Sequence, residues 1–222
     1  MKKLFIKISI LLSLLTLISC FEIVEDITIN DDGSGKILLA LNLSKSKTKL
    51  KSIMLLDSIN GYKIPSKTDI TKSITDIKTQ IGKIKGVTNV KSMTDFKDYI
   101  FTVSCNFNNV NALNTIISSF SSSSEKKLIS KNKHFTYNKA THSFSRNYHY
   151  NLAKETKKMN TKDKAIFQDA SITTIYRFES DVVSVKNKNA KVSGNKKAVF
   201  LKVSAQDIIN NKSNIKNTIQ LK

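Results

Sequence analysis

The stretch Ile23-Val24-Glu25-Asp26-Ile27-Thr28-Ile29-Asn30, then Asp31-Asp32-Gly33-Ser34-Gly35, then Lys36-Ile37-Leu38-Leu39-Ala40-Leu41-Asn42-Leu43 reads as a β-hairpin. Ile23, Glu25, Ile27 and Ile29 alternate with Val24, Asp26, Thr28 and Asn30, the period of two of a strand with one face inward. Ile37, Leu39, Leu41 and Leu43 repeat that period. The glycines between them supply the backbone freedom of a tight turn. Two ligand readings of the turn fail. With Gly33 as the glycine of an EF-hand loop, Thr28 and Leu39 would stand where carboxylates are required. Gly33-Ser34-Gly35-Lys36 also lacks the spacing of a phosphate-binding loop.

Working outward, two helices follow the hairpin. Leu50, Ile53, Met54 and Leu56 give the first an apolar face. In the second, Ile70, Ile74, Ile77, Ile81 and Ile84 recur at spacings of four and three, which place them on one stripe. Thr68 or Asp69 is expected to cap its start and Gly86 its end. Residues 87–93 read as a strand. Tyr99, Phe101, Val103, Cys105 and Phe107 form the apolar face of another, so Cys105 is expected to be a small core residue rather than a nucleophile. A third helix runs from about Asn109 to Phe120, with Val110, Leu113, Ile116, Ile117 and Phe120 inward.

Beyond the serine run at 121–124, a hairpin is expected over His134–Asn138 and Thr141–Arg146. A two-residue turn at Lys139-Ala140 would put Phe135, Tyr137, His142 and Phe144 on one face, with His142 packed among the aromatics. His134 and His142 then point apart, so a three-histidine metal site with His149 would need another register. Residues 151–169 read as helical and carry Lys154, Lys157, Lys158, Lys162 and Lys164. Strands return with Ile172, Thr174, Tyr176 and Phe178, with Val182, Val183 and Val185, and with residues 198–203. A short helix over Ala205–Ile209 leads to a last strand through Ile215, Ile219 and Leu221. The expected fold class is α+β, antiparallel hairpins packed against a few amphipathic helices.

The start of the chain reads as an address. Lys2, Lys3 and Lys7 precede an apolar run from Ile8 to Ile18, too short for a comfortable membrane span and shaped like a secretory signal. The run ends in Leu17-Ile18-Ser19-Cys20. This resembles the bacterial lipobox, and the resemblance implies lipidation of Cys20 and cleavage before it. The expected organisation is a signal peptide over 1–19 and one α+β domain over 20–222, with a sub-boundary, if any, at 121–132. More than one acyl chain would anchor such a domain stably. Cys105 alone would remain beside the anchor, so no intramolecular disulfide is expected.

Charge narrows the partners. The 222 residues carry a net charge of +20, from 35 Lys, two Arg and 17 acidic residues. Nucleic-acid sites lean on the planar fork of Arg, so a Lys-only excess on an exported chain speaks against nucleic acid. Residues 1–124 carry a net +6 and residues 125–222 a net +14. The densest basic segment, Lys154, Lys157, Lys158, Lys162 and Lys164, is the candidate contact for anionic lipid or polysaccharide, against the commoner reading of a solvated face.

Cys20, the Asp32-Gly33-Ser34-Gly35 hairpin, and the run Tyr176-Arg177-Phe178 through Asn187 to Lys197-Ala198-Val199-Phe200 resemble bacterial lipoproteins of the LppM-like type. That resemblance implies an α+β envelope domain without a known reaction.

No hydrolase elbow, no paired metal-binding histidines on one helix and no partitioned carboxylate pair occur in the sequence. No cofactor or metal is expected. The sequence therefore points to a non-enzymatic binding or assembly module, anchored by lipid in the bacterial cell envelope, with ligand and protein partner unspecified. The alternatives are a carrier holding a lipid or other apolar ligand between sheet and helices, and an envelope hydrolase without a recognisable motif.

Overall fold

A computed structural model describes residues 21–59, 61–120, 133–147, 152–157, 159, 161, 164 and 167–222. The signal segment 1–19, Cys20, the sub-boundary at 121–132, His149, Lys158 and Lys162 lie outside the described residues.

The opening hairpin forms as read. β1 (Glu22–Ile29) and β2 (Gly35–Asn42) pair antiparallel, and Gly33 holds a φ of +83° in the turn. Then come α1 (Lys47–Ile53), the two-residue strands β3 (Ser58–Ile59) and β4 (Tyr62–Lys63), and α2 (Lys67–Gly82). β5 (Val87–Asp95), β6 (Ile100–Phe107) and α3 (Val110–Ser119) complete the first half. The second half contributes β7 (Phe135–Asn138), β8 (Ser143–Arg146), α4 (Leu152–Lys157), β9 (Ser171–Phe178), β10 (Val182–Val185), β11 (Lys191–Val192), β12 (Ala198–Ser204), α5 (Ala205–Ile209) and β13 (Asn217–Leu221).

The strands make a seven-stranded sheet of order β11-β12-β9-β1-β2-β6-β5 and a four-stranded sheet of order β10-β13-β8-β7. The α+β class expected from the sequence is the one found. The β1–β9 ladder is parallel, and it joins the two halves of the chain at the centre of the large sheet.

One continuous core fills the space over the inner face of that sheet. Ile27, Ile29, Ile37, Val103, Cys105, Phe107, Tyr176 and Val199 point into it from the large sheet. Leu113 and Ile116 of α3, Ile81 of α2, and Phe135, Phe144 and Ile219 of the small sheet close it from above. Burying each such aliphatic or aromatic side chain is worth about 1.5–3 kcal/mol. A second cluster of Leu201, Val203, Ile208 and Ile215 packs under α5.

Several local expectations are corrected. The cap of α2 is Ser66, in a reciprocal capping box with Asp69, and the helix ends at Gly82. Ser66 is favoured because its hydroxyl accepts from the Asp69 amide while the Asp69 carboxylate bonds back to the Ser66 amide. α1 buries none of its residues, and Leu56 is 50% exposed. At seven residues it offers under two turns, and Leu56 lies beyond its end. The β7–β8 loop has four residues, Lys139 to His142, rather than a two-residue turn. Phe135 therefore faces Arg146, and Tyr137 faces Phe144. The shift is by two, so the aromatics keep a common face, but His142 leaves it. His142 sits exposed in the loop at a φ of +45°. Arg146 takes a place on the inner face instead.

Candidate functional site

The candidate positions read from the sequence fare differently. Lys154, Lys157 and Lys164 are exposed. Cys105 is 2% exposed, and burial pushes its thiol up to about 11. At neutral pH it is a protonated core side chain, with no thiolate for nucleophilic chemistry.

The sequence did not foresee a buried ionic cluster. The alternation of β1 puts Glu25 on the same face as Ile27 and Ile29, and Glu25 is 5% exposed. Arg146 of β8 and Tyr176 of β9 reach it from the opposite sheet and the neighbouring strand. Arg146 donates from Nε to Glu25 Oε1 and from Nη2 to Oε2, both at 3.1 Å. The Tyr176 hydroxyl donates to Oε1 at 2.6 Å, and Arg146 Nη1 donates to the Asn147 carbonyl at 2.6 Å. The guanidinium also lies 4.7 Å from the centroid of the Phe135 ring. Burial opposes the charge on Arg146, but the Glu25 carboxylate outweighs it and keeps the guanidinium protonated. Burial, and then the Glu25 charge, hold the Tyr176 phenol well above its usual range. Each Glu25 oxygen is engaged, so the cluster clamps the two sheets together and has no free acid or base to offer a substrate.

The other arginine repeats the pattern on the outer face. Arg177 donates from Nε and Nη2 to the two oxygens of Asp26, at 3.1 and 3.0 Å. Both arginines of this lysine-rich chain thus spend their forks on consecutive carboxylates of β1.

A second arrangement lies at the edge of the small sheet. The turn that follows β10 and the segment that leads into β13 enclose a cleft of about 460 Å³. Lys186, Lys188, Lys212 and Lys216 line it, and among the described residues no acidic side chain does. Asn187 ties its two sides together. Its amide N–H donates to Asn217 Oδ1 at 2.9 Å, and its Nδ2 donates to the carbonyls of Asn214 at 3.1 Å and Lys216 at 2.8 Å. Asn217 is 2% exposed and stands opposite Arg146 in the β8–β13 ladder, so the floor of the cleft adjoins the buried cluster. These four lysines come from two segments more than twenty residues apart. The readable signal was the recurrence of asparagine at 187, 189, 210, 211, 214 and 217; residues 187–195 read as a turn, and 210–217 as the link into the last strand.

No family model matches this chain, and none of the curated proteins does. Among solved structures, it is similar to the NMR structure of the folded domain of the Mycobacterium tuberculosis LppM protein, at 12% identity and a TM-score of 0.40. That alignment covers 91% of this chain and 89% of that one.

Proposed function

We propose that this protein is a non-enzymatic binding module of the bacterial cell envelope, anchored through lipid on Cys20. The observation that carries the reading is the order of the first residues. A basic start, an apolar run and Leu17-Ile18-Ser19-Cys20 are followed by a single residue, Phe21, before the central β1 begins at Glu22. A residue spans at most about 3.6 Å, so a lipid on Cys20 would hold the domain close against a bilayer. Among the described residues, no helix is long and apolar enough to cross a membrane.

The packing favours a surface binder over an interior carrier. Tyr176, Phe135, Phe144, Ile27, Ile37 and Leu113 are each at most 1% exposed, and they fill the layer in which an apolar ligand would have to lie. The saturated hydrogen bonds of Glu25 favour a clamp over a catalytic carboxylate.

The test is metabolic labelling with a palmitate analogue in a bacterial host. The wild-type chain should be labelled and the Cys20→Ala chain should not. Equal labelling of the two would overturn the anchor. Native mass spectrometry of the gently extracted protein tests the carrier reading, which requires a co-purifying apolar mass.

A further inference from the structure

We propose that the cleft between residues 186–189 and 212–218 is a binding site for a phosphate-type anion. Charge is the first argument. Lys186, Lys188, Lys212 and Lys216 converge on one cleft with, among the described residues, no acidic residue in its wall. Among the described residues none of the four has an ion-pair partner, whereas Lys47, Lys197 and Lys202 each pair with a carboxylate. Like charges held together repel, and a bound anion turns that cost into attraction.

Order is the second argument. The bonds from Asn187 to Asn214, Lys216 and Asn217 fix the separation of the two walls before anything binds. A site built in advance loses little freedom on binding.

An orphan donor is the third. Asn217 Oδ1 accepts the Asn187 N–H, which sets the orientation of the amide. Its Nδ2 is left buried with no hydrogen-bond partner, in a residue 2% exposed. Buried donors are normally satisfied, and this unsatisfied one belongs to a residue that lines the cleft. Lysine ammoniums and amide donors together select an oxygen-rich anion. A phosphate group is that ligand, whether free or carried on a lipid headgroup.

The experiment is lysine footprinting by acetylation and mass spectrometry on the full-length protein as extracted into nonionic detergent. One arm adds inorganic phosphate, with sodium chloride at matched ionic strength as the control. The other compares the protein reconstituted in phosphatidylglycerol vesicles with the protein in phosphatidylcholine vesicles. Labelling at Lys186, Lys188, Lys212 and Lys216 should fall about fourfold at a phosphate concentration roughly three times the dissociation constant. Lys72 and Lys78, exposed on α2, should keep their labelling. Protection by inorganic phosphate alone identifies a free anion as ligand. Protection in the phosphatidylglycerol vesicles identifies a headgroup.

Asn217→Asp keeps the acceptor for Asn187 but replaces the donor with a carboxylate, and it should abolish the protection. The surface pair Lys188→Glu and Lys212→Glu should do the same in a chain whose circular dichroism is unchanged. Protection spread equally over all lysines, protection by chloride, or none in either arm overturns the proposal.

Discussion

The guanidinium of Arg146 and the carboxylate of Glu25, 121 residues apart in the chain, meet in two hydrogen bonds of 3.1 Å between the two sheets. Both side chains are less than a tenth exposed. The pair explains why arginine stands at position 146 in a chain with 35 lysines and two arginines. A carboxylate buried on both sides needs two donors in one plane, and an ammonium on a flexible stem cannot present them.

Breaking this pair from one side leaves a buried charge without a partner. Glu25→Ala and Arg146→Ala should each lower stability by about 3–5 kcal/mol in urea unfolding. The double variant should lose less than the sum, because the second change removes an already orphaned charge. Arg177→Lys, at an arginine side chain 51% exposed, should cost less than about 1 kcal/mol. An Arg146→Ala chain as stable as the wild type would remove the clamp from the account of the fold.

Gly35 opens β2 where the hairpin is tightest. A Cβ built there would lie 1.9 Å from the Thr28 carbonyl oxygen and 2.7 Å from the Phe107 ring. The first contact is with backbone, which cannot swing away. Gly35→Ala should therefore cost about 3 kcal/mol or more. Gly194 has nothing within 4 Å, and Gly194→Ala should stay within about 0.5 kcal/mol of wild type. Thermal melts of the two variants side by side check the contrast.

Acid should unfold the protein through its paired carboxylates. Burial works to raise Glu22, but hydrogen bonds from Lys202 and Thr173 outweigh it and hold the group below its usual range. Hydrogen bonds from Ser66 lower Asp69, that of Lys47 lowers Asp98, and that of Lys197 lowers Asp181. A depressed folded pKa contributes stability that is present above the unfolded value and lost as pH falls through the folded one. Urea midpoints should hold from neutral pH down to about 5 and drop below about 4. A midpoint at pH 3 equal to that at pH 7 would contradict these pairings.

Cys105 should show the opposite limb. Its folded value of about 11 lies above the ordinary thiol value, so its contribution is complete below that ordinary value and is lost as pH rises toward 11. A thiol reagent at pH 8 should react with Cys105 only in denaturant. Fast labelling of the native chain would show that β6 opens readily.

Much of the fold was legible because inner faces here are nearly pure. Phe101, Val103, Cys105 and Phe107 alternate without a break, and β6 follows them. Ala205–Ile209 is a helix over the residues read as one. Three features were not legible. The alternation put Glu25 on the face of Ile27 and Ile29, but its partners Arg146 and Tyr176 lie 121 and 151 residues away, beyond any local pattern. The β7–β8 turn length was ambiguous, since Phe135, Tyr137 and Phe144 keep the same face in either register. The cleft lysines were hidden because neither segment holds as many lysines by itself as the Lys154–Lys164 run.

The sequence by itself determined the α+β class and the inner faces of strands such as β6, because each rests on residues a few positions apart. Only the tertiary structure decided that β9 lies parallel beside β1, that Arg146 closes on Glu25, and that four lysines share one cleft. Those facts depend on which of many similar apolar faces meet. Local periodicity is silent on that choice, and the packing of the whole core settles it.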